Sequence, residues 1–223
     1  MSAPLLLFDI DGTLLHVAEE LVLVRALIEH CGGPVDLAFS ADMVVSDDGY
    51  IRGVLRRAGL PHADAHVDAA LERFVGHLRA ALDAGELTVR AVAGAADFVA
   101  AARPLAPIAL GTGCVEASAR AKLAAIGLDE AFPCGGFSRR EASRAEILQR
   151  GIAAAAAHYR RAFAPTEVIY LGDGPWDVAA ARQVGARFVG INEHADGRQR
   201  LRAAGAQEVF GDLSERGLMA LLG

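Results

Sequence analysis

The stretch LLLFDIDGTLL (residues 5–15) sets four apolar residues ahead of two aspartates, Asp9 and Asp11, separated by one isoleucine. Asp and Gly are ordinary turn formers, so these residues alone fit a strand running into a turn. They fit equally a strand that presents two carboxylates at a catalytic edge, and the rest of the chain decides. Further short apolar runs follow. PIAL (107–110) leads into Gly111-Thr112-Gly113, VIYL (168–171) leads into Gly172-Asp173-Gly174, and RFVGI (187–191) and EVF (208–210) complete the set. Continuous apolar runs of this length fit parallel strands buried on both faces. Helical patterns lie between them, at 115–126 ended by Gly127 and at 175–184 ended by Gly185. The alternation predicts an α/β fold with a doubly wound parallel sheet. Ligands on such sheets sit at the carboxyl ends of the strands, which sends Asp9, Thr112 and Asp173 to one crevice.

Residues 16–88 break the alternation. Val67, Leu71, Phe74, Val75, Leu78 and Leu82 form an amphipathic stripe at 3/4 spacing, which predicts a helix packed in a small bundle. Turn-like breaks at Cys31-Gly32-Gly33-Pro34 and Gly59-Leu60-Pro61 punctuate it. The expected organisation is a core of residues 1–15 and 89–223, with a helical cap at 16–88 overhanging the crevice.

Bulk properties narrow the function. Hydrophobic residues at 53% and charged residues at 22% are globular composition. The net charge of −6 excludes a nonspecific grip on nucleic acid, which needs a basic face. Cys31, Cys114 and Cys134 are odd in number and form no CxxC pair, which suits a reducing cytoplasm. The first apolar run stops after four residues and has no basic segment before it, so neither a signal peptide nor a membrane partner is expected.

Asp9-Ile10-Asp11-Gly12-Thr13, Thr112-Gly113, a basic residue ahead of the fourth strand, and Gly172-Asp173-Gly174-Pro175-Trp176-Asp177 occur in this order, the acids following hydrophobic strands. Together they resemble the haloacid dehalogenase-like hydrolases, closest to the phosphoglycolate-phosphatase-like branch, over nearly the whole chain. The resemblance implies a Rossmann-like core with a helical cap, and a Mg²⁺-dependent phosphatase of a small phosphorylated metabolite. Asp9 would attack phosphorus to give an aspartyl phosphate. Asp11 would protonate the leaving alcohol and then activate water. One intervening residue keeps the two acids on the same side of an extended segment. By the same resemblance the Mg²⁺ ligands would be the Asp9 carboxylate, the Asp11 backbone carbonyl and the Asp173 carboxylate, with Asp177 supporting the ion. Thr112 and the Gly113 amide would hold phosphate oxygens, and Thr13 would serve the same end of the substrate or steady the Asp11 turn.

The family's third motif normally supplies a lysine. The chain has one lysine, Lys122, ten residues beyond Thr112, a helical distance that predicts a position away from the crevice. Arg144, which opens the helix after SRREAS, is preferred over Arg139, Arg140 and Lys122, since Arg pairs bidentately with phosphate or carboxylate. In the cap, Arg52 and Arg56 are four apart on one helical face, and Arg52 is expected to meet the anionic end of a substrate. Cys114 stands where the branch usually has an asparagine close by, and His16, after the first motif, is expected as a hinge or packing residue in preference to a substrate contact. Two alternatives stay open. One is a phosphosugar mutase, which keeps both acids. The other is a phospho-ligand sensor without turnover, favoured by the missing lysine. Either a monomer or a homodimer fits.

Overall fold

Leu5, Leu6, Leu7 and Phe8 are all buried, as is every residue of PIAL from Ile108 onward and of VIYL. These three runs therefore form the middle of a sheet. The computed structural model describes residues 3–40, 43–140, 142–214 and 218. In chain order its elements are β1 (Leu5–Phe8), β2 (Leu15–Val17), α1 (Glu20–Cys31), α2 (Asp47–Arg57), α3 (Asp64–Asp83), β3 (Val89–Ala91), α4 (Ala95–Ala102) and β4 (Ile108–Gly111). They continue with α5 (Glu116–Ala125), β5 (Gly135–Gly136), α6 (Arg144–Tyr159), β6 (Val168–Gly172), α7 (Pro175–Val184), β7 (Arg187–Ile191), α8 (Ala195–Ala203) and β8 (Glu208–Phe210).

Six strands pair in parallel in the order β5-β4-β1-β6-β7-β8. The doubly wound α/β fold is thus present as the apolar runs predict. Side chains alternate across the sheet. Leu6, Phe8, Leu110 and Leu171 pack with Phe98 and Val99 of α4 and Leu123 of α5. Leu5, Leu7, Ala109 and Tyr170 pack on the other face with Ala145 and Leu148 of α6 and Ala181 of α7. Phe8 of β1 is in register with Leu110 of β4 and Leu171 of β6, so the residues that follow these strands meet at one edge.

The helices α1, α2 and α3 bury a separate apolar cluster that includes Leu27, Ile51, Val54, Val67, Phe74 and Leu78. Five of the six stripe positions on α3 are buried, and Leu82 is half-buried. The chain enters and leaves this bundle through β2 and β3, which pair antiparallel, His16 opposite Arg90. This ribbon is not visible in the sequence, because three-residue strands carry too little periodicity. No described helix is long and apolar enough to cross a membrane.

Candidate active site

β1 delivers Asp9 to the carboxyl edge of the sheet, where its amide donates to the Leu171 carbonyl at 2.9 Å and its side chain is 3% exposed. The turn beyond depends on Gly12, which has φ 77°. A Cβ at Gly12 would collide with the Asp173 carboxylate, so only glycine both turns the chain and admits that acid. Asp173 follows β6, and Asp177 lies in the first turn of α7. Oxygens of Asp9, Asp173 and Asp177 lie within 4.8 Å of one another.

Burial and mutual crowding show in the proton affinity of Asp9 and Asp173. Burial pushes Asp9 up to about 7, with Arg144 opposing and Asp177 adding to the rise. Burial, then Asp177 and Asp9, push Asp173 up to about 8. Oxygen donors that repel one another in this way fit a hard divalent cation such as magnesium. Asp11 Oδ1, buried without a partner among the described residues, adds an unsatisfied oxygen nearby. Asp177 has less freedom. Its Oδ1 accepts from the Tyr170 hydroxyl at 2.8 Å and its Oδ2 from the Gly174 amide at 3.0 Å. Any support it gives a cation is therefore indirect.

Two buried cations stand over these acids. Arg144 is the first residue of α6, behind a capping box of Ser143 and Glu146. Its Nη2 is 3.6 Å from Asp9 Oδ2, and its Nε is 3.1 Å from Asp177 Oδ1. Burial opposes its charge, but Asp9 and Asp177 outweigh burial and raise its pKa. Nε and Nη1 make no aligned hydrogen bond among the described residues, so the contact is an ion pair with donors left over. Arg140 is instead held by Asp64 at 3.1 Å and Asp68 at 2.7 Å, on α3. Arg139 lines a different cavity.

Lys122 corrects the sequence reading. It is fully buried, and its ammonium donates to Asp11 Oδ2 at 2.9 Å and to Glu19 Oε1 at 2.5 Å. A helical side chain leans back toward the helix N-terminus, and a lysine stem spans the remaining gap, so counting rise per residue misplaced it. The Cys114 thiol also donates to Asp11 Oδ2, at 3.0 Å. Burial opposes ionisation of Asp11, yet Lys122 and this thiol outweigh it and hold the carboxyl below its ordinary range. Burial, reinforced by Asp11, keeps Cys114 protonated. Burial raises Glu19 to about 8 in spite of Lys122.

Thr112 and Gly113 line the crevice with Asp9, Asp11, Arg144 and Asp173. A Cβ at Gly113 would lie 2.8 Å from the Val45 carbonyl and 2.9 Å from Arg144 Nη1, so glycine permits the close approach of the helical bundle here. The Asp47 amide donates to the Gly113 carbonyl at 2.8 Å.

Two expected contacts are not brought to the crevice. Thr13 is fully buried and absent from its lining, and its hydroxyl has no partner among the described residues. Arg52 is 6% exposed and turned into the bundle, where it meets Asp48 at 3.3 Å, the His62 carbonyl at 2.7 Å and Asp64 at 2.9 Å. Four-residue spacing shows that two side chains share a face, not which way that face points.

His16 lines the crevice and bonds Glu193 at 2.8 Å, and Arg90 grips the same carboxylate at 2.6 Å. Glu193 thus ties both strands of the ribbon to the core. Sequence reasoning missed Asp47, whose Oδ2 accepts from the Val115 amide and Ser118 hydroxyl, and the crevice residues Phe39, Tyr50, Trp176 and Arg200. The single tryptophan of the chain, inside the last motif, was the available signal.

The model of the haloacid dehalogenase-like hydrolase family matches residues 4–185. Among solved structures, CbbY from Rhodobacter sphaeroides with phosphate is similar at TM-score 0.70 and 24% identity over 99% of both chains. A variant of that protein with xylulose-(1,5)-bisphosphate gives 0.70 and 25% over 99% of both. A predicted phosphoglycolate phosphatase from Haemophilus somnus gives 0.64 and 15% over 97% of both. No curated protein sequence matches the chain.

Proposed function

We propose that this chain, which belongs to the haloacid dehalogenase-like hydrolase family, is a Mg²⁺-dependent phosphatase of small phosphorylated metabolites, with Asp9 as nucleophile. One observation carries the reading. A buried carboxylate at the end of β1 stands 3.6 Å from a guanidinium and within 4.8 Å of two further acids. That arrangement supports a reading with an oxygen nucleophile, an anion-binding cation and a cation-binding acid pair around one point. The similar structures with bound phosphate and xylulose-(1,5)-bisphosphate support a small phosphorylated compound as substrate, without specifying its nonreacting part.

Within this reading Arg144 binds the phosphoryl oxygens and holds Asp9 toward phosphorus. Asp9, Asp173 and the Asp11 carbonyl would hold the ion, which would supply charge neutralisation for the phosphoryl group. The Thr112 hydroxyl and Gly113 amide contact the remaining oxygens. Asp11, oriented by Lys122 and Cys114 and held ionised by them before substrate enters, takes up a proton as the phosphate arrives, passes it to the departing alcohol and later draws one from water. Residues 16–88 form the cap that keeps bulk water out during transfer. The sensor reading rested on a missing cation, and Arg144 beside Asp9 removes that ground. Three unpaired cysteines support a reducing, cytoplasmic setting.

The test is phosphate release from p-nitrophenyl phosphate, with magnesium or with chelator, by wild type and Asp9→Asn. Release that needs magnesium and vanishes in the variant is expected. Release unaffected by Asp9→Asn would reject the reading, and phosphate exchange between sugar hydroxyls without release would indicate a mutase.

A further inference from the structure

The crevice over Asp9 has a volume of about 560 Å³, far more than a phosphate fills and within the range of small-molecule sites. Away from the acids, apolar side chains make one part of its wall, while His16, Ser46, Asn192, His194 and Arg200 contribute polar groups. Leu23, Phe39, Val45 and Tyr50 come from the cap side, and Trp176 comes from the start of α7. Phe39 and Trp176 remain 53% and 40% exposed, and they face the same cavity from cap and core. The Tyr50 hydroxyl donates to the Leu37 carbonyl at 2.5 Å, which fixes the ring. The Phe39 and Tyr50 rings are parallel, at an interplanar angle of 3°.

Charge is distributed differently. Among the described residues lining the crevice, no cation comes from the cap helices. Arg52 is held by Asp48 and Asp64, and Arg57 by Asp36. Of the lining basic side chains, Arg144 serves Asp9 and His16 bonds Glu193, while Arg200 and His194 are exposed on the core side. A second phosphate or a carboxylate on the substrate would meet rings and the Asp47 carboxyl on the cap side, where an anion needs donors. Rings favour a flat, neutral partner, because aromatic stacking is strong and tolerant of ring type.

We infer that the nonreacting part of the substrate is a neutral, flat ring system seated against Trp176, Phe39 and Tyr50. The substrate is then a phosphate monoester of a ring-bearing alcohol, of the chemistry of a nucleoside 5′-monophosphate, and not a bisphosphate or a phosphorylated carboxylic acid. This rests on the phosphatase reading for the bond that breaks, but the binding claim can be tested without turnover.

Trp176 is the single tryptophan of the chain, so its fluorescence reports directly on this wall. Asp9→Asn protein with magnesium would be titrated with adenosine 5′-monophosphate, uridine 5′-monophosphate, ribose 5-phosphate and ribulose 1,5-bisphosphate. The first three share one phosphorylated primary alcohol and differ in the ring. Saturable quenching is expected with both nucleotides at a Kd about tenfold or more below that of ribose 5-phosphate, the size of one lost stacking contact. Phe39→Ala, a change at an exposed side chain, should weaken the nucleotides about tenfold and leave ribose 5-phosphate unchanged. Ribose 5-phosphate binding as tightly as the nucleotides, or the bisphosphate binding more tightly, would overturn the inference. Absence of phosphate release by wild type, with nucleotide binding intact, would reject the phosphatase reading alone.

Discussion

Arg144 and Lys122 are both buried cations paired with an acid of the first motif, yet the two corners are built for different work. Arg144 lines the crevice, its side chain is 10% exposed, and it retains donors with no aligned partner among the described residues. It is placed to meet a phosphate that arrives. Lys122 has no exposed surface, and its ammonium is occupied by Asp11 and Glu19. Since Glu19 is the N-cap residue of α1, Lys122 links Asp11, the proposed proton carrier, to the first helix of the bundle. One corner binds, and the other positions.

That contrast is broken most sharply at Arg144. Arg144→Ala should lower kcat by about 10²–10³-fold, the range for removing one donor aimed at developing charge. Near-normal turnover at saturating substrate would transfer the role to another cation. Lys122→Met should act through Asp11, costing about tenfold or more in kcat on an alkyl phosphate, whose alcohol needs a proton to leave. On p-nitrophenyl phosphate, whose leaving group needs none, the loss should be smaller. Equal losses on both esters would make Lys122 a purely structural residue. Thermal melting of the same variant should show a loss of about 3 kcal/mol or more, because Asp11 and Glu19 lose their shared partner.

The acid cluster gives a pH-dependent contrast. Asp9 at about 7 and Asp173 at about 8 bind protons more tightly folded than unfolded. The metal-free fold therefore loses stability as pH rises from the ordinary carboxylate range through about 8. Magnesium offsets that repulsion, so its gain in Tm should be larger at about pH 8.5 than at about pH 6. An equal gain at both would remove the carboxylates from the metal site. The smallest kinetic effect is expected at Arg52. Arg52→Ala should destabilise the fold by about 3 kcal/mol through Asp48 while leaving KM unchanged for anionic and neutral esters alike.

What could be read in the sequence follows from length and spacing. Buried apolar runs of four and five residues specified β1, β4, β6 and β7, and their ends brought Asp9, Thr112 and Asp173 together. Arg144 was reached because it opens a helix whose start is written in the Ser143 and Glu146 capping pair. The ribbon of β2 and β3 was not legible, since its pairing is long-range and each strand is three residues. Lys122 was misjudged because backbone rise says nothing about a long side chain reaching back. Arg52 was misjudged because two of the partners that turn it inward, the His62 carbonyl and Asp64, become neighbours only when α2 packs near the start of α3, although Asp48 is four residues before it on the same helix. The aromatic wall joins Phe39, Tyr50 and Trp176 from segments more than a hundred residues apart, which no local pattern announces.

The central claim is that Asp9 carries the phosphoryl group. Acid quenching during turnover of a radiolabelled phosphate ester, followed by peptide mapping, tests it directly. The account predicts label on the peptide containing Asp9, lost on treatment with hydroxylamine and absent from Asp9→Asn. Rapid phosphate release with no label on that peptide at any quench time, under conditions where transfer outpaces hydrolysis, would contradict it.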